Sequence, residues 1–271
     1  MRKLLSASFR RLRFSGVLRL CVLGALAMSM FFLIMLKTGE GNAFTTDEIV
    51  MNTLPFLCLL QAVFISLFLG TEYQDGTIRN KVIAGHSRQT IYGSFLVTAL
   101  AGSFLILLGW ALGGIVGIIR FGWFTSPVTQ LVLYTLQILA LTAANAALLT
   151  LIGILVQSQA KSAVLSILLM LLLIVAGSVM YNSLNEPETI SGAVITANGI
   201  EIGESQPNPS YISGTLRRIY QFAVNTLPTG QAILLANREV ANPMFSTLAS
   251  ICITLITSIL GAEVFKKERL K

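Results

Sequence analysis

The chain has 271 residues, 54% of them hydrophobic and 11% charged, against about 25% charged in soluble domains. Its formal net charge is +7, but the basic residues gather at the chain ends and between long apolar runs. That distribution excludes an ordinary soluble domain and argues for a membrane protein rather than a nucleic-acid binder.

In chain order, residues 1–15 predict an amphipathic helix lying at the membrane interface. On a helical wheel, Leu4, Leu5, Ser8, Phe9 and Leu12 share one arc. Arg2, Lys3, Arg10 and Arg13 share another, and Arg11 borders the apolar edge. The next apolar run gives a first span over 16–36, in which Arg19 must snorkel. It reads as an uncleaved anchor, because no small-x-small site closes a short apolar core. Five further spans follow at 50–70, 89–119, 128–156, 162–182 and 241–263. Each is near the roughly 20 residues that cross hydrocarbon, except the third, which is long enough to tilt or project. The fold class is therefore an all-α membrane protein with six transmembrane helices.

With six spans, both termini fall on one side. That side holds the N-terminal cluster, Arg79, Lys81, Arg88, Lys266, Lys267, Arg269 and Lys271, and is therefore assigned to the cytoplasm. Most acids fall on the other: Glu40, Asp47, Glu48, Glu186, Glu188, Glu201, Glu204 and Glu239. Cys21, Cys58 and Cys252 all lie in spans and read as small buried hydrophobes.

Glycines recur every fourth residue in the third span at Gly109, Gly113 and Gly117. Such a face allows close helix approach, within one subunit or along a subunit seam. Residues 183–240 form a large outer region. "SGAVITANGIEIGE" predicts a small hairpin around Asn198-Gly199. "IYQFAVNTLPTGQAILLAN" is uncharged but interrupted by Pro228 and Gly230, so it predicts short helices or a re-entrant element.

The chemistry-bearing motifs are few. There is no GxxxxGK[ST] phosphate loop, no GxSxG, and one histidine, His86. No metal site is expected. The span interiors carry no charge, and Gln61, Gln137 and Asn145 are their notable polar groups. Ion-driven porters usually carry intramembrane acids, so any uphill transport would draw its energy from outside this chain.

The segment "GTEYQDGTIRNKVIAGHSRQTIY", residues 70–92, is the most informative. Gly76 allows a sharp turn after the second span, and Thr77 is a candidate cap for a two-turn helix over Ile78–Ala84. Gly85 is its left-handed stop, and Ser87 caps the next span. Ile78, Val82 and Ile83 offer an apolar face, and Asp75 and Arg79 are spaced to pair. A short helix held on glycine turns is a knob suited to contact with a partner.

Glu72, Gly76-Thr77-Ile78-Arg79-Asn80-Lys81, Gly85, Ser87-Arg88 and Tyr92 resemble the signature that follows the second span in bacterial type-2 ABC exporter permeases. The six-span layout and the element Pro228, Gly230 and Gln231 are similar too. The resemblance implies a plasma-membrane permease that is not itself an enzyme and binds no cofactor. ATP and Mg would reside on separate cytoplasmic ATPase subunits. It implies an ATPase-coupling segment made of Glu72, Asp75, Gly76, Thr77, Ile78, Arg79, Asn80, Lys81, Val82, Gly85 and Arg88. Arg79 and Lys81 would make its polar contacts, while Ile78 and Val82 would fill a groove on the ATPase. Pro228, Gly230 and Gln231 would sit near an outer exit. A second permease copy or a paralogue, and membrane lipids, are the other implied partners. The neutral, aliphatic spans favour an amphiphilic substrate such as a drug, peptide or lipid. The alternatives are an ATP-independent transporter, a lipid-modifying membrane enzyme, and a peptide-immunity or sensor protein.

Overall fold

A computed structural model describes residues 2–38, 45–196 and 199–267. Glu40, Asn198 of the hairpin turn, Arg269 and Lys271 lie outside them. The order is α1 (Arg2–Phe14), α2 (Gly16–Thr38), α3 (Thr46–Asn52), α4 (Leu54–Gln74), α5 (Thr77–Ile83), α6 (Arg88–Phe121), α7 (Val128–Val156) and α8 (Gln159–Asn185). A hairpin of β1 (Thr189–Thr196) and β2 (Gly199–Pro207) follows, then α9 (Gly214–Thr226), α10 (Pro228–Ala236) and α11 (Pro243–Lys267). Six stretches are long and apolar enough to cross a membrane: α2, α3 with α4, α6, α7, α8 and α11. The protein is an all-α, multi-pass membrane protein.

The second span is interrupted at Thr53, where α3 meets α4. Pro55 has no N–H to continue the helical ladder. Side chains hydrogen-bond across the joint. Thr53 Oγ1 donates to the Val50 carbonyl at 2.7 Å, and Trp110 Nε1 donates to Thr53 Oγ1 at 2.8 Å. A polar joint is thereby closed inside an apolar bundle, where an unpaired carbonyl would be costly.

The glycine face of α6 packs on α2. A Cβ added at Gly109 would lie 2.7 Å from the Val22 carbonyl oxygen. At Gly113 it would lie 2.7 Å from Ser29 Cβ, and at Gly117 2.7 Å from Leu33 Cδ1. The stripe is thus a helix-packing face within one chain, filled by the first span. Helix α6 runs 34 residues, about 51 Å at 1.5 Å per residue, which exceeds the hydrocarbon core as its sequence predicts.

Burial separates centre from periphery. The second and fourth spans are 67% buried, whereas the fifth and sixth (α8 and α11) are 17% and 22% buried. Gln61 of α4 and Asn145 of α7 pair in the interior, Asn145 Nδ2 donating to Gln61 Oε1 at 2.6 Å. Cys21 and Cys58 are buried, but Cys252 on α11 is exposed, which corrects its reading as a buried hydrophobe. It lies on the outer surface of the bundle, on the exposed side of α11.

Strands β1 and β2 pair antiparallel, with Thr196 opposite Gly199 and an irregularity between Ser191 and Ala193. Helices α9 and α10 meet at Leu227, whose extended backbone is imposed by Pro228 behind it.

Candidate coupling site

The site is built at the end of the second span. Helix α4 stops at Asp75, and Gly76 follows in the left-handed region at φ +62°. Only glycine enters that region freely, so the chain reverses there and starts α5 at once. The helix ends before Gly85, which takes φ +83°. Ser87 then caps α6, its hydroxyl accepting from the Thr90 N–H at 3.3 Å.

Glu72, on the last turn of α4, is 1% exposed. A buried carboxylate needs partners, and it has three. Lys81 Nζ of α5 lies 2.7 Å from Oε2. Arg11 of α1 forms an ion pair with Oε1. Thr77 Oγ1 donates to Oε2 and also lies 3.0 Å from the Glu72 carbonyl oxygen. Arg11 Nη2 further donates to Thr71 Oγ1 at 3.1 Å. Aromatic rings back both cations. Lys81 Nζ is 4.7 Å from the Phe95 centroid, and Arg11 Cζ is 5.9 Å from that of Phe68. One carboxylate therefore ties α1, α4 and α5 together.

The structure redistributes roles within the segment. Ile78 is 2% exposed and belongs to the core, so it cannot fill a partner's groove. Val82 is half-buried against the same core. Ile83, 74% exposed, is the apolar side chain that projects outward. Lys81 is engaged with Glu72 rather than free. Arg79 and Asn80 are exposed and lie three to four residues from Ile83, on the same face. Asp75 is exposed and forms no ion pair with Arg79. Thr77 does not cap α5; Gly76 holds that position, and the Thr77 hydroxyl turns back to Glu72. Arg88 Nη1 donates to the Phe265 carbonyl at 3.3 Å, tying the start of α6 to the end of α11.

At the opposite end, Pro228, Gly230 and Gln231 are all buried in α10. A Cβ on Gly230 would lie 2.6 Å from the Val224 carbonyl oxygen, so α9 and α10 fold tightly together. Gln231 Nε2 donates to the carbonyls of Asn225 and Thr226 at 3.1 Å and of Ser246 at 3.0 Å, and its Oε1 accepts from Ser250 Oγ at 2.9 Å. The amide thereby satisfies carbonyls that the break at Pro228 leaves open.

A second buried carboxylate, Asp47, closes the same end. It accepts from Thr125 Oγ1 at 2.9 Å and from the Ser126 N–H at 3.2 Å, and Arg238 Nη1 lies 3.2 Å away. Arg238 also pairs with Glu48, which completes a capping box with Thr45 at the start of α3.

A family model described as ABC-2 family transporter protein matches residues 4–177. The chain belongs to the ABC-2 transporter family. It is thus a membrane-embedded permease subunit of an ABC transporter. The matched stretch includes most of α1, all of α5 and all three partners of Glu72, and it ends within α8, before the hairpin and α9–α11. No curated protein is significantly similar to this permease.

Sequence reasoning found the short helix between the second and third spans and its glycine turns, but missed how that helix is held. Arg11 and Glu72 are 61 positions apart and share no motif. The available signal was the acid itself: one of few in the chain, at the end of an apolar span, between two basic elements.

Proposed function

We propose that this permease couples ATP hydrolysis on a separate ATPase subunit to export of an amphiphilic substrate. The observation that carries the reading is the union of α1, α4 and α5 at Glu72. A force applied to α5 is delivered through that ion pair and hydrogen bond to a central span and to the N-terminal helix. Arg79, Asn80 and Ile83 form the face that meets the ATPase, with Ile83 as the apolar anchor and Arg79 as the polar one. Two permease copies, or this chain and a paralogue, pair in the plasma membrane. ATP and Mg bind the partner subunits. The spans carry no internal charge for an ion to follow, which favours an external energy source and an apolar cargo.

The test is co-purification of the tagged permease with a co-expressed candidate ABC ATPase subunit, followed by ATP turnover. The native chain should retain the ATPase, and Arg79→Glu with Ile83→Ala should release it. A permease that purifies alone and still transports in vesicles overturns the reading.

A further inference from the structure

A cleft of about 550 Å³ opens at the end of the bundle opposite α5, between α8, α9 and the start of α11. Its lining is amphiphilic. Phe222 and Phe245 contribute exposed rings, and Tyr181 and Asn185 of α8 face them with polar tips. Glu239 stands among these groups. Its Oε2 accepts from the Tyr181 hydroxyl at 2.7 Å and from Asn185 Nδ2 at 3.1 Å. These bonds orient the carboxylate without neutralising it. Among the described residues Glu239 has no ion-pair partner, unlike Glu72, Asp47 and Glu48.

The other charged side chain in the cleft, Arg217, keeps its charge but is held away from Glu239 on backbone carbonyls. Arg217 donates to the Leu184 carbonyl at 2.9 Å and to the Ile212 carbonyl at 3.4 Å, and its guanidinium lies 5.2 Å from the Tyr211 ring. It is bound to the C-terminal end of α8, where backbone carbonyls concentrate negative potential. Arg217, Gln221 and Asn225 recur every fourth residue of α9 along the cleft. Leu216, Ile219 and Phe222 are exposed apolar side chains on the same helix. An apolar ridge thus runs beside a polar floor that holds a carboxylate with no ion-pair partner among the described residues.

We propose that this cleft binds a cationic amphiphile, with an ammonium group on Glu239 and an apolar body against Phe222 and Phe245. An ammonium can hydrogen-bond the Glu239 carboxylate beside its bonds from Tyr181 and Asn185, and the neighbouring rings attract it by their faces. The aliphatic part needs the apolar wall that a purely polar cation would leave exposed. The proposal deepens the export reading by naming the cargo class, and it rests on that reading only for the direction of transport. The ammonium can belong to a free alkylamine or to the lysine of an amphipathic peptide.

The experiment uses the full-length permease alone, in phosphatidylcholine nanodiscs, with a photoreactive alkylamine and the alcohol of equal chain length. Labelled residues are mapped by mass spectrometry. The amine should label cleft residues of α9 and α11 about tenfold more than the alcohol, as one ion pair with aromatic backing allows. Glu239→Gln should bring the amine down to the alcohol level. Ala241→Lys should do the same while leaving the bonds of Glu239 in place, which guards against a folding artefact. Competition by a lysine-bearing amphipathic peptide identifies a peptide source, and lack of competition a small amine. Equal labelling by amine and alcohol, or native labelling in both variants, overturns the proposal. No ATP or ATPase is present, so coupling can fail with labelling intact, and labelling can fail with coupling intact.

Discussion

The second span carries a buried carboxylate at each end, Asp47 at the start of α3 and Glu72 at the end of α4. Their surroundings differ. Asp47 is met largely by the loop before α7, through Thr125 and Ser126, with Arg238 reaching across from the loop after α10. Those elements are joined to long helices and close the bundle like a plug. Glu72 is met by Arg11 and Lys81, cations on the short helices α1 and α5. The same chemistry thus serves two ends: one carboxylate fastens loops together, and the other fastens two short helices to a central span. The lesson is mechanical. On the proposed coupling reading, motion would enter at the Glu72 end, whose partners sit on short helices, and the Asp47 end would resist it.

The largest effect should come from Glu72→Ala. Two cations would lose their shared partner, at a cost of about 3 kcal/mol, the low end for breaking a buried pair because Arg11 keeps contact with water. Thermal unfolding in detergent measures the loss, and Arg11→Ala on top of Glu72→Ala should cost less than Arg11→Ala alone. Full additivity of the two substitutions would break the idea of a shared charge.

Next comes Arg238→Ala, at about 2 kcal/mol. Asp47 keeps its three neutral donors and so loses only its cation. This variant should lower the unfolding temperature yet leave ATPase binding unchanged, which sharpens the contrast between the ends. Gly113→Val tests the frame that holds them both. Its Cβ would press on Ser29, 2.7 Å away, and should cost about 1–3 kcal/mol by overpacking, read as faster unfolding. The smallest effect on stability belongs to Ile83→Ala. The side chain is exposed, so unfolding should shift by less than about 0.5 kcal/mol. Retention of the ATPase should nonetheless fall, as for an interface anchor. Unchanged retention would remove Ile83 from the docking face.

The six spans were legible because apolar runs of that length have one main physical use. The turns at Gly76 and Gly85 were legible because helix stops at glycine are local. The hairpin was legible from its strand-forming residues. What stayed hidden depends on which neighbour arrives. The resemblance assigns Ile78 and Val82 to a partner's groove and not Ile83, since a sequence does not show that the core covers Ile78 and leaves Ile83 bare. The stripe Gly109, Gly113 and Gly117 announced a close contact but not whether the first span or another subunit fills it. Gln231 gave no sign of its three carbonyl acceptors, because they are created by a break at Pro228 and by a helix 15 residues further on.

The most direct test is Glu72→Gln in the assembled transporter, scored for ATPase retention and for substrate-stimulated ATP turnover in nanodiscs. The account predicts that the ATPase stays bound, since Arg79, Asn80 and Ile83 are untouched, while stimulation and export are lost. Native stimulation and export in Glu72→Gln would contradict the claim that this carboxylate joins the short helices to the span.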